Sequence, residues 1–119
     1  MSVLTFVENW EGNFKKTSFE AIAYGKKIAD QSNEKLFTLT FQGRGLDSLK
    51  KYGADVILNI PDANLESMSN MSIAKTIKEV IEKNQINTIV ISNTNTGKSI
   101  APLLAQITNA GLITNAIDY

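Results

Sequence analysis

Short apolar runs rich in β-branched residues alternate along this chain with helix-period patterns, and that alternation limits the fold more than any other feature. The runs cover residues 3–7, 36–41, 56–60, 86–91 and 112–117, each of strand length and composition. Four helical patterns separate them, at about 17–31, 46–52, 72–83 and 99–110. Strand–helix alternation of this kind predicts a parallel sheet covered on both faces, joined by right-handed crossovers. The expectation is a single three-layer α/β domain with a five-stranded, mainly parallel sheet, Rossmann-like in architecture. Order 3-2-1-4-5 is expected, because it brings the loops after strands one and four together at the switch point where open α/β sheets bind ligands.

Local signals set the expected boundaries. Thr17-x-x-Glu20 reads as a capping box opening the first helix. Its buried stripe is Ala21, Ile22, Gly25, Ile28 and Ala29, with Gly25 permitting close helix–sheet packing. The second helix turns Leu46, Leu49 and Tyr52 inward and stops at Gly53. Residues 62–72 are polar and expected to be the most mobile segment. The third helix carries Ile73, Ile77, Val80 and Ile81 on one face, with Lys75, Lys78, Glu79 and Glu82 in solvent.

The stretch 86–110 reads as strand, polar loop and helix, the arrangement by which an α/β sheet offers a helix N-terminus to an anion. The candidate anion or nucleotide crevice is lined by Asn93, Thr94, Thr96, Gly97, Lys98 and Ser99. Ser99 is the expected N-cap, since it places Pro102 at the third helical position, where a missing N–H costs nothing. Residues 8–16 are expected to face 93–99 across this crevice. Two phosphate motifs are approached and missed. Gly97-Lys98-Ser99 would need glycine at position 92 to be a P-loop, and Ser92 stands there. Gly43-Arg44-Gly45 would need glycine or alanine at 48 to complete the dinucleotide fingerprint, and Ser48 stands there. It reads as an ordinary strand-to-helix turn.

Composition narrows the chemistry. A chain of 119 residues with 43% hydrophobic and 20% charged residues can bury one core without staples. Twelve basic residues balance twelve acidic ones, so the footprint of a nucleic-acid binder is missing. No apolar run approaches the roughly 18 residues needed to cross a bilayer, and no leader precedes the first strand-like run, which points to the cytoplasm. The sequence contains neither cysteine nor histidine. Thiolate chemistry, Ser-His-Asp catalysis, ordinary zinc sites and a base poised near neutral pH are thereby excluded. No catalytic constellation and no metal site are expected.

Three stretches carry a family resemblance: VLTFVENWEGNFKKTSFEAIAYGKKIA near the start, KKYGADVILNI in the middle, and TNTGKSIAPLLAQITNAGLITNAIDY at the end. The chain resembles the N-terminal domain of the electron transfer flavoprotein alpha subunit over essentially its whole length. That resemblance implies an adenine nucleotide alpha hydrolase-like α/β domain that pairs with a beta subunit in a heterodimer. It further implies electron transfer from flavoprotein dehydrogenases through FAD to another acceptor. In the family the FAD is held mainly by a C-terminal domain, expected to begin near Tyr119, so no FAD is expected on these residues and none is assigned to FAD. AMP, where it occurs, belongs to the beta subunit. The other reading is a free-standing nucleotide-binding sensor of the stress-protein-like class. The two differ in surface: Trp10 and Phe14, in the polar loop after strand one, are either the partner-facing residues of a heterodimer domain or rings folded back over the first helix.

Overall fold

A computed structural model describes residues 2–9, 12–61, 67–91, 95–108 and 111–114; for 95 and 111–114 the description is of the backbone. The strands are β1 (Ser2–Phe6), β2 (Lys35–Phe41), β3 (Val56–Ile60), β4 (Ile86–Ile91) and β5 (Gly111–Thr114). Four helices alternate with them: α1 (Lys16–Gln31), α2 (Asp47–Lys50), α3 (Asn70–Lys83) and α4 (Asn95–Ile107). Strands β3, β2, β1 and β4 lie side by side in the order the sequence suggests, and β5 adds along β4. All the pairings are parallel, with Thr5 in register with Thr38 on one side and Val90 on the other.

Alternate residues of the strands feed two cores. Leu4, Phe6, Leu39, Phe41, Ile89 and Ile91 pack with Ile73, Ile77 and Ile81 of α3 and Ile100 and Leu104 of α4. The rings of Phe6 and Phe41 meet edge to face at 5.9 Å, the arrangement favoured by the ring quadrupole. On the other face Val3, Val7, Leu36 and Val90 pack with Ala21, Ile22 and Ala29 of α1 and with Leu49 of α2. This distribution follows from the crossovers. Moving from β1 to β2 to β3 places α1 and α2 on one face, and moving to β4 and β5 places α3 and α4 on the other.

Several boundaries differ from the sequence reading. α1 begins at Lys16, and its cap position, Lys15, makes no side-chain cap bond, so Thr17 and Glu20 form no capping box. The helix is phased by burial instead. Ser18 is 2% exposed and its Oγ donates to the Glu8 carbonyl at 2.9 Å, which puts Thr17 inside the first turn. α3 starts at Asn70, two residues earlier than its apolar period suggests, because Ser69 supplies the cap: its Oγ accepts from Ser72 N–H at 3.1 Å. The expected strand 112–117 is observed at Gly111–Thr114. Its expected end, the turn at 109–110 and residues 62–66 of the polar segment lie outside the described residues. Tyr52 does not point inward. α2 is a single turn, too short to bring a third residue under it, and Tyr52 is 46% exposed.

Gly25 does what its position suggests. A Cβ there would collide with the Thr5 hydroxyl oxygen and lie 3.0 Å from a Leu36 methyl. α1 therefore sits directly on the threonine of the central strand. Gly25→Ala should destabilise the domain by about 1–3 kcal/mol, overpacking outweighing the roughly 1 kcal/mol that alanine gains in a helix. Thr5→Ala in the same chain should restore much of that loss, and urea melts of the four-membered cycle measure it. Additive effects would show that α1 does not rest on Thr5.

Candidate functional site

The C-terminal ends of β1 and β4 form the switch point of this sheet, because their chains leave in opposite directions. On one side stands the first turn of α4. Thr96 is half-buried, Gly97 buried, and Lys98 and Ser99 exposed. Asn93 and Thr94, the other two residues of the expected crevice, lie outside the described residues. The helix begins at Asn95 rather than after Ser99, so Ser99 is its fifth residue and cannot be its cap. Pro102 then falls inside the helix, where it cannot supply the N–H that the Lys98 carbonyl would accept. The earlier start offsets that loss by allowing up to three further i→i−4 bonds and by burying Gly97.

The loop after β1 leaves from the other side of the switch point, and its described bonds run to α1, to β2 and to the turn that follows β2. Asn9 is the pivot. Its Nδ2 donates to the Phe41 carbonyl at 2.6 Å and to Thr40 Oγ1 at 3.1 Å, while its Oδ1 accepts from Gly12 N–H at 2.9 Å. Arg44 N–H then donates to the Gly12 carbonyl at 2.9 Å. Gly12 has φ of 88°, and a Cβ there would meet the Arg44 side chain at 2.8 Å, so a side chain is excluded twice over. Nothing at the sequence level singled out Asn9. Its position two residues past an apolar strand is the one available signal, since asparagine there can pair with backbone on both flanks. Of the two expectations for Phe14, the fold-back over the first helix is the one observed: its ring lies 6.4 Å from that of Phe19 on α1. Trp10 lies outside the described residues.

The Gly43–Arg44–Gly45 turn spends two of its three amides within the fold: Gly43 N–H donates to Asn59 Oδ1 at 3.0 Å and Arg44 N–H to the Gly12 carbonyl. It serves as a strand-to-helix turn tied to β3 and to the loop after β1. Among the described residues no group of three or more acidic side chains converges to hold a metal ion, and no helix is long and apolar enough to cross a membrane. The described first turn of α4 offers the hydroxyls of Thr96 and Ser99, the Lys98 ammonium and a helix N-terminus.

Comparison with known proteins adds a family to this geometry. The model of the electron transfer flavoprotein domain matches residues 3–119. The alpha subunit of electron transfer flavoprotein from Bacillus subtilis (strain 168) is 30% identical over 120 residues, covering 98% of this chain and 36% of that protein. The acryloyl-CoA reductase electron transfer subunit beta of Anaerotignum propionicum is 29% identical, covering 92% of this chain and 31% of its own length. The match to the alpha subunits lies in their N-terminal third, so this chain spans about a third of the curated relatives it matches. Among solved structures, a universal stress protein from Archaeoglobus fulgidus superposes with a TM-score of 0.64 at 14% identity, covering 96% of this chain and 97% of that one. That likeness is one of fold.

Asn9→Ala removes three hydrogen bonds from a half-buried loop and strands the Phe41 carbonyl. A loss of about 1–3 kcal/mol is expected, with faster amide hydrogen exchange at Gly12 and Arg44 while the β1–β4 pairing keeps its protection. Unchanged exchange at both amides would show that Asn9 does not hold the loop.

Proposed function

The chain belongs to the electron transfer flavoprotein domain family, and from that premise we propose that it serves as the structural and beta-subunit-binding part of a heterodimeric FAD electron carrier. The observation that carries this reading is a family match running from residue 3 to residue 119, with relatives named as electron-transfer subunits. The chemistry agrees with it. A chain without cysteine or histidine has little to offer as a catalyst, and a carrier domain needs shape and surface instead.

In this reading the flavin is held by polypeptide beyond the matched third, and electrons from flavoprotein dehydrogenases reach it without passing through these residues. Bound FAD would supply the one- and two-electron chemistry; this chain supplies the platform that fixes its neighbours. The crevice of Asn93, Thr94, Thr96, Gly97, Lys98 and Ser99 is proposed as an anion-contacting face, in which Lys98 supplies the charge and the α4 N-terminus the dipole. A stress-protein-like nucleotide sensor remains the competing class, supported by fold alone.

Reconstitution separates the two. The purified chain is expected to be colourless after incubation with FAD. Mixed with the Bacillus subtilis beta subunit and the remaining two-thirds of the alpha subunit, it should enter a ternary complex with about one flavin and a raised melting temperature. Nucleotide binding by the isolated chain, with no complex formed and no change in melting temperature, would sink the carrier reading in favour of the sensor.

A further inference from the structure

The apolar side chains that α4 gives to the core lie beyond its first turn. Ile100, Ala101 and Leu104 are buried in the core shared with β4 and α3, and Leu103 and Ile107 pack beside them. Residues 96–99 add none: Thr96 is half-buried, Gly97 has no side chain, and Lys98 and Ser99 are exposed. Pro102 then separates this turn from the rest of the helix. It has no N–H for the Lys98 carbonyl, and its ring crowds that oxygen. It is the eighth residue of α4, well past the first turn where proline is tolerated.

The same residues carry a second helix start. With Ser99 as cap, Ile100 becomes the first helical residue and Pro102 the third, where no N–H is needed. Ile100, Ala101, Leu103, Leu104 and Ile107 all stay helical in either form. The long start adds the bonds from the Ser99, Ile100 and Ala101 amides to the carbonyls of 95–97. The short start relieves Pro102, releases Gly97 from a helix that disfavours glycine, and gains a serine cap. Each side of this balance holds a few modest contributions, and neither moves an apolar side chain into or out of the core. The two starts therefore lie close in free energy.

We propose that residues 95–98 form a two-state element that winds onto and unwinds from α4 at Pro102. Winding moves the start of the helix by about 7.5 Å, five residues at the helical rise. It also decides what the crevice contains, because Thr96, Gly97 and Lys98 lie on the switching turn and Ser99 at its edge. In the wound form the first-turn amides and the Lys98 ammonium stand at one helix end. In the unwound form Ser99 Oγ accepts from Ala101 N–H and Pro102 has none to give, so only the Ile100 amide is left for an anion. An anion at that helix end selects the wound form. This gating rests on the crevice being an anion-contacting face; the winding equilibrium does not.

Amide hydrogen exchange on the full chain, labelled with nitrogen-15 and carbon-13 and without ligand, tests the switch apart from the crevice. The comparison is built into the protein. α3 is capped by Ser69 and already buries Ile73 in its first turn, so its fifth to seventh residues, 74–76, match residues 99–101 of α4. Protection at 99–101 should be at least about tenfold below that at 74–76. Pro102 is exposed, so Pro102→Ala removes no core contact. That variant should raise protection at 99–101 about tenfold or more, with 74–76 unchanged. Cα chemical shifts at 96–98 should fall short of helical values in the natural chain and reach them in the variant. Equal protection of the two helices in the natural chain, no gain in Pro102→Ala, or a gain spread evenly along α4 would each overturn the proposal.

Discussion

Burial of β1 on both faces is the constraint from which the rest of the structure follows. Val3, Val7 and Leu4 have no exposed surface and Phe6 has almost none, so this strand needs helices above and below and parallel neighbours on either side. Each such side chain contributes about 1.5–3 kcal/mol when removed from water, and no other strand serves both cores so completely. Thr5, next to the strand's last residue, takes the place a larger residue would fill, and Gly25 lets α1 close the gap. The Thr5 and Thr38 hydroxyls, in register on adjacent strands, are buried with no hydrogen-bond partner in the structure. Unpaired hydroxyls at such sites cost about 1–3 kcal/mol each, which the close helix–sheet contact offsets.

Once β1 is central, the ends of the sheet are unequal. The loop leaving β1 turns toward β2, as the crossover to α1 demands, and Asn9 pins it there by bonds to Thr40 and Phe41. The chain leaving β4 turns the other way into α4. A gap between the two departures is thus a result of topology, not of any particular side chain, and its position could be stated before the structure. Its walls are built differently. One is held by side-chain-to-backbone bonds across strands; the other begins with a helical turn whose link to the next is short one hydrogen bond at Pro102.

What the sequence conveyed best were the features set by burial over several residues. β3 and β4 fall at 56–60 and 86–91, the runs picked out by their β-branched composition. The α1 stripe is right at Ala21, Ile22, Gly25 and Ala29. Helix starts were read poorly, and for one reason. Thr17 and Ser99 are good caps in isolation, yet a cap contributes only about 1 kcal/mol, less than the burial that phases each helix. Ser18 facing the sheet overrules Thr17. In α4 the earlier turn tolerates an interior proline that local preference would forbid. Tyr52 failed in the opposite sense: its periodicity marked it as core, but periodicity assumes a helix long enough to bury a second turn, and α2 has four residues.

The same limit governs what could be known of the site. Residue types near the α4 start were legible because a polar loop between a buried strand and a helix is a pattern along the chain. Asn9, Thr40 and Arg44 meet only through tertiary folding, across separations of about thirty residues or more. The Phe14–Phe19–Tyr52 row is likewise assembled from a loop, a helix and the end of another helix. Each ring taken alone had an ordinary explanation as core or as loop. Their stacking is forced by the single turn of α2: with no second turn to shelter it, Tyr52 can shed water only against the side of α1 that Phe19 presents. A shorter element thus places an aromatic ring at the surface.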